Sequence, residues 1–458
     1  MMNRIRILLT VTALLLSGAA LNAQDVRTLE TKVADLLARM PADNLELASR
    51  LMEEMYALGD EGRAMICRQV LPQGTGDDLR ARYAVSSLTA HISSDSDDTR
   101  KRIWEKQCIE YMKNAPDGEV RSFFMRQLNL IGSDMAVEAL SGYVTSAGIC
   151  DDAVIVLQSV GSKAAAELLQ SALQSSECPC AAQAMVALAE TIPGNSVDIF
   201  MQWYNSGSVA EKAAALYAVA STGLPEAAAI LTGAATSVSY RWDPTGAVRA
   251  LLAYARKIGL AGDVKNMEKI TRLVTEASMT PEASGQRLAA MSIITEVKGS
   301  DALGLLLEAA SDPDVAVRGG ALRLASAIPG SEATRKWIKR YSKVSESAKQ
   351  DILFMLGERG DALAIPLMMK ALDDPSQEIS SAAVSAIARL QGPAAVDPLI
   401  SWIMKHESEA GHRAAATALT TILDSTGMQK IAAALPGSDG LATVTFLRLL
   451  AWSGDKSF

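Results

Sequence analysis

Arg287, Arg318, Lys349 and Ser380 lie 31 residues apart in succession. Ala290, Ala321, Ile352 and Ala383 keep the same spacing, as do Met291, Leu322, Leu353 and Val384, then Ile294, Ala325, Leu356 and Ile387. Val297, Ile328 and Leu390 form a further column that Arg359 interrupts. Within one repeat these apolar positions fall on one face of a helix. A helical hairpin with an apolar face on both members cannot bury them alone, so such a chain must stack its repeats. The expected fold is therefore all-α, an α-solenoid of about eleven short hairpins.

The ladder continues in both directions. Ala153, Ala184 and Ala215 keep the same spacing, with Val154, Met185 and Leu216 beside them. Phe124, Met125, Leu128 and Ile131 form an earlier, offset copy, and Ala415, Leu419 and Ile422 a later one. Between Leu216 and Met291 the frame slips by roughly a dozen residues beyond two periods, and the slip is assigned to an inserted loop at 232–246. The expected organisation is a leader at 1–23, divergent helical repeats at 24–145, regular repeats at 146–231, the loop at 232–246, and regular repeats at 247–458. Asp312-Pro313 and Asp374-Pro375 read as an N-cap followed by proline in the first helical turn. Gly299, Gly330 and Gly392 fall where a left-handed residue closes a helix.

The segment Asp312-Pro-Asp-Val-Ala-Val-Arg318-Gly-Gly-Ala321-Leu322 resembles the D-P-x-V-x-V-R-x-x-A-L pattern of HEAT repeats, in a variety shorter than the usual period of about 40 residues. The resemblance implies a right-handed superhelix whose second helices line a concave face. More distantly, the stretch Arg27–Leu37 with Gly74–Tyr83 is similar to the leader of exported bacterial proteins in which a HEAT-like region precedes a jelly-roll domain of the 3-keto-disaccharide hydrolase type. That likeness implies a setting of sugar processing and assigns no catalytic residue to this chain.

Composition narrows the function classes. The chain is 49% hydrophobic with 5% aromatics and carries a net charge of −8. No Lys/Arg cluster builds a basic face, so nucleic acid is not an expected partner. Asn3-Arg4-Ile5-Arg6, an apolar run over residues 7–16 and Leu21-Asn22-Ala23 read as a secretory signal peptide cut after Ala23. The apolar run is too short to span a bilayer, which takes about 20 residues. The expected location is the periplasm or the exterior of a Gram-negative-type bacterium. At the other end Gly454-Asp455 sits where Gly360-Asp361 begins a new pair, and Phe446, Leu447, Leu449, Leu450 and Trp452 give the last helix no polar outer face. More chain is therefore expected beyond Phe458.

Chemistry-bearing residues are few. Cys67, Cys108, Cys150, Cys178 and Cys180 are an odd number of cysteines in an oxidising compartment. Cys150 and Cys180 are one residue short of a period apart. That spacing leaves open a Cys150–Cys180 bond, a Cys150–Cys178 bond or buried thiols, and Cys67 with Cys108 is a further option. His406 and His412 lack the H-E-x-x-H spacing and are read as part of a solvated loop, so no metal, cofactor or catalytic site is expected. In the proposed insertion, Tyr240-Arg241-Trp242 places three interface-favouring side chains together, and Trp203 and Tyr204 lie about one repeat earlier. These five are the candidate partner-binding residues. The expected function is a non-catalytic exported scaffold for a protein, or a glycan, partner. The competing reading is the accessory region of an exported carbohydrate-processing enzyme whose catalytic domain follows residue 458.

Overall fold

The repeating columns become stacked helices. A computed structural model describes residues 27–175, 178–191 and 196–453, and every regular element among them is a helix. The segment read as a signal peptide and the Gly454–Phe458 end lie outside the described residues. The chain divides into two compact units at Ile199/Phe200.

In the first unit the second helix of each pair packs on the second helix of the next. These ladder helices are Leu45–Ala57, Leu79–Ser93, Gly118–Ile131, Cys150–Val160 and Ala181–Thr191. In the second unit the ladder runs Val209–Thr222, Ala247–Leu260, Ser284–Lys298, Val315–Ser326, Glu346–Arg359, Gln377–Gln391, Glu409–Thr420 and Gly440–Ser453. Among the described residues, five and eight such helices exceed the eleven pairs read from the sequence. The first three begin at Leu45, Leu79 and Gly118, at intervals longer than the column period, so a fixed frame passes over them.

The columns are buried as their periodicity requires. Ala290, Ala321, Ile352 and Ala383 are inaccessible to solvent, and so are Ala153, Ala184 and Ala215 upstream. Small residues set the helix spacing. A Cβ on Gly357 would lie 3.1 Å from the backbone of Ala386, so the Glu346–Arg359 and Gln377–Gln391 helices meet closely there. Dispersion contacts fall off steeply with any gap, which is why a chain poor in aromatics packs well through alanine and glycine.

The two arginines of the polar column join neighbouring repeats, and its serine ties a ladder helix to its own partner helix. Arg287 is buried and donates to Asp312 and Asp314, each at 2.8 Å. Arg318, also buried, donates to Asp351 at 2.6 Å and to the Ser347 hydroxyl at 2.7 Å. Ser380 donates to the Leu372 carbonyl at 2.8 Å. Arg359, which interrupts an apolar column, reaches back to the carbonyls of Ala325 and Ile328 at 2.7 and 2.6 Å. It thereby satisfies acceptors at the end of the preceding ladder helix.

Two turn expectations are corrected. The N-caps are Asp314 and Ser376, not Asp312 and Asp374, and neither proline lies inside the ladder helix. Asp312 and Asp374 instead accept the N–H two residues on, at 2.8 and 3.0 Å, forming the turn that precedes each cap. Gly299 has φ of +55° with ψ of −123°, and Gly392 has φ of +54° with ψ of −134°. That region is open to glycine but lies outside the left-handed helical well.

The frame slip is not one inserted loop. Ladder helices begin at Val209, Ala247, Ser284 and Val315; the first two intervals exceed the column period and the third equals it. The extra length is shared by two repeats whose first helices, Pro225–Ser237 and Val264–Ala277, have 13 and 14 residues against seven in Leu303–Ala309. Residues 232–237, expected in the loop, are the last turns of the first of these helices. Only 238–246 is irregular.

Candidate functional site

The Pro225–Ser237 helix ends without a glycine. Ser239 N–H donates to the Thr236 carbonyl and Tyr240 N–H to the Ala235 carbonyl, both at 2.9 Å, the bond pair of a Schellman ending. That ending needs a left-handed residue, and here Ser239 and Tyr240 take φ of +52° and +54°. They are the two non-glycine residues with positive φ among the described residues. Each such residue costs about 1–3 kcal/mol, and strain of this kind persists where the surroundings hold it.

The reversal separates the three side chains that sequence placed together. Tyr240 turns inward to 9% exposure, and its hydroxyl is 3.2 Å from the Thr236 hydroxyl. Tyr240 is thus a wedge under the turn and not a surface anchor, a correction to the sequence expectation. Its apolar ring gains more from burial than from exposure in a polar loop. Arg241 and Trp242 turn outward, and Trp242 is 82% exposed.

Asp243 fixes the next element. One carboxylate oxygen accepts Thr245 N–H at 2.8 Å as well as the Thr245 hydroxyl, and the other accepts Ala247 N–H at 3.0 Å. The carboxylate therefore starts the Ala247–Leu260 helix, and Gly246 at φ +68° sets the chain direction there. The Arg249 side chain folds back over Gly246, where it occupies the space a Cβ would take.

These residues wall a groove of about 430 Å³. Arg241, Trp242 and Pro244 form one side; Arg249 and Leu252 of the Ala247–Leu260 helix and Gln286 of the Ser284–Lys298 helix form the rest, over small Gly285 and Ala289. Arg249, Leu252 and Gln286 were not singled out from sequence, because only the stacking of two ladder helices brings them to the Trp242 turn. Trp203 and Tyr204, on the Val197–Ser206 helix, are half-buried and outside the groove lining.

A second groove of about 450 Å³ lies between the Val315–Ser326 and Glu346–Arg359 ladder helices, lined by Arg323, Asp351, Phe354 and Glu358. Phe354 is 55% exposed, with the Arg389 guanidinium 5.1 Å from its ring centre and Arg389 also paired to Glu358. On the first-helix side a larger hollow of about 610 Å³ is lined by Ala228 and Ala229. It offers a single buried aromatic, Tyr254, and no exposed one.

The cysteines and histidines take structural places. Cys150 and Cys180 are joined by a disulfide with a Cα separation of 6.0 Å, and Cys178 is outside the bond. Cys67 and Cys108 are buried thiols and not a pair. Burial pushes the Cys67 thiol up to about 12 and raises Cys108 as well, so neither supplies a thiolate nucleophile at neutral pH. His412, expected in a solvated loop, is buried where the Gly440–Ser453 helix covers Glu409–Thr420. Its Nδ1 lies 2.8 Å from the Thr445 hydroxyl. His406 stacks on Trp402 with ring centres 4.6 Å apart. Among the described residues no group of three or more His, Cys, Asp or Glu is placed to hold a metal ion. No helix among them is long and apolar enough to cross a membrane.

A family comparison agrees with the repeat architecture over part of the chain. Residues 334–420 match the HEAT repeats family. No curated protein matches the chain. Among solved structures, importin beta is similar at 11% identity and a TM-score of 0.40, over 92% of this chain and 68% of that one. Kap121p is similar at 11% identity and a TM-score of 0.41, over 92% of this chain and 56% of that one. UNC-45 from Drosophila melanogaster is similar at 13% identity and a TM-score of 0.24, over 93% of this chain and 68% of that one.

Proposed function

We propose that this chain is an exported, non-catalytic scaffold that binds a segment of a partner protein on the ladder helices of its second unit, with Trp242 as the anchor. One observation carries the reading. In a chain with few aromatics, an indole stands 82% exposed at a strained turn, over a groove built by two ladder helices. Burying a tryptophan of this kind is among the largest single contributions a partner can gain. The exposed Phe354, beside a second groove of the same ladder, adds a contact for a longer segment.

Export is supported by the leader pattern in the sequence and by the Cys150–Cys180 disulfide, which needs an oxidising compartment to persist. Fusion of the full chain to a phosphatase that is active only outside the cytoplasm tests this; an inactive fusion would count against export.

The binding reading is tested by selecting random twelve-residue peptides, displayed on phage, against the purified chain. Peptides that bind the wild type and lose at least about tenfold in affinity on Trp242→Ala support it. The variant's helicity and melting should match the wild type, because the indole is mostly exposed. If no selected peptide depends on Trp242, the groove is not a binding site.

A further inference from the structure

We infer that the Trp242 groove takes an acidic peptide segment, with carboxylates on Arg241 and Arg249 and an adjoining apolar side chain on the indole. The inference rests on the binding reading and adds the chemistry of the partner.

The groove lining carries two arginines and one aspartate, a net charge of +1. The chain as a whole is acidic, at −8, yet two arginines flank Trp242 and neither side chain has an ion pair or hydrogen bond among the described residues. Asp243 is the sole acidic residue in the lining, and its two oxygens are committed to Thr245 and to the first N–H of the Ala247–Leu260 helix. It is therefore occupied as a cap. The Glu282 carboxyl is held below its ordinary range first by its own backbone N–H, then by the Thr280 hydroxyl, with the Arg241 charge a lesser contribution. Glu282 is exposed and outside the groove lining, though near enough for its charge to act on Arg241. The groove lining thus carries a net positive charge beside an apolar plate.

Arginine matters here. A guanidinium offers a planar fork that matches a carboxylate with two parallel hydrogen bonds, and it is more weakly hydrated than an ammonium. The Arg249 guanidinium lies over Gly246, at the edge of the same groove. The floor at Gly285 and Ala289 carries no side chain longer than a methyl group, so an extended backbone can approach the ladder helix. Leu252 supplies apolar contact in the same lining.

The same phage selection separates this inference from the reading it rests on. Peptides that depend on Trp242 are expected to be enriched in Asp and Glu next to an aromatic or aliphatic residue. A synthetic peptide of that kind should bind Arg241→Glu at least about tenfold more weakly, and the loss should shrink as salt is raised. Replacing its Glu residues by Lys should abolish binding to the wild type and restore part of it with Arg241→Glu. Arg249→Glu should act in the same direction, and Arg241→Glu alone decides the matter if the Arg249 change disturbs the helix start. Trp242-dependent peptides that are neutral or basic, and indifferent to Arg241→Glu, would overturn the acidic specificity while leaving the groove a binding site. Absence of any Trp242-dependent peptide would remove both.

Discussion

Arg287 and Asp314 join two successive ladder helices, with the guanidinium Nη2 2.8 Å from the carboxylate, and that carboxylate also caps the helix it precedes by accepting Ala316 N–H at 2.9 Å. One contact thus couples helix start to repeat stacking. Because Arg287 is only 4% exposed, removing it leaves two aspartates facing an apolar seam. Arg287→Met is expected to destabilise the second unit by about 2 kcal/mol. Amide exchange should show the loss concentrated in residues 284–326, since a solenoid couples mainly nearest neighbours.

The same contact sets an acid limit. The Ser284 hydroxyl, the N–H groups of Val317 and Ala316 and the Arg287 charge hold the Asp314 carboxyl below its ordinary range. A lowered native value stabilises the fold above the unfolded value of about 4, and the contribution is lost as pH falls through the native value. Asp314→Asn should therefore differ from the wild type in stability at neutral pH, with the difference closing below about pH 4. Urea midpoints measured at a series of pH values would show a constant difference if the carboxylate contributed nothing.

Two glycines inside ladder helices should respond oppositely to alanine. Gly319 has open space around its Cβ position. Gly319→Ala should therefore stabilise by about 0.5–1 kcal/mol through helix propensity alone. At Gly357 the added methyl meets the Ala386 backbone at 3.1 Å, which cannot step aside as a side chain can. Gly357→Ala should gain nothing and Gly357→Val should lower the melting temperature. Equal gains at both sites would contradict the close approach.

Ser239 occupies the left-handed position of the helix ending with a side chain that disfavours it. Ser239→Gly should stabilise by about 1 kcal/mol without changing the fold. Thermal melting of the single variant measures it, and a decrease would mean that the turn is not held in this conformation.

The disulfide closes a 30-residue separation. In the chain-entropy account such a bond contributes about 3.6 kcal/mol, so reduction should lower the melting temperature of the first unit. Thiol titration of the unfolded, unreduced chain should find three of the five cysteines reactive and all five after reduction. Five before reduction would rule the bond out.

How far the sequence could be read depended on the kind of residue. The buried columns through Ala290 and Ala153 were legible because burial on one helix face repeats with the helix pair. Arg287 and Arg318 marked the repeat correctly, yet their role was hidden, since their partners stand a repeat away. Asp312 looked like the cap because proline follows it, while Asp314, two residues later, does the capping. At the candidate site, Trp242 was visible as an unusual aromatic. Tyr240, its neighbour in sequence, was assigned to the same surface, and nothing local showed that two left-handed residues would turn it inward.

The sequence by itself determined that the chain forms helical pairs and that the pairs stack, because an apolar stripe at fixed period has no other way to leave water. It also limited the candidate residues for chemistry, through a composition with three histidines and few aromatics. Tertiary structure alone decided where the frame lengthens and which of Tyr240, Arg241 and Trp242 faces solvent. It also decided that Arg249 and Gln286 join Trp242 around one groove. Those outcomes depend on how two ladder helices lie against each other and on where a strained turn sends the chain, and neither is written in the residues of any one repeat.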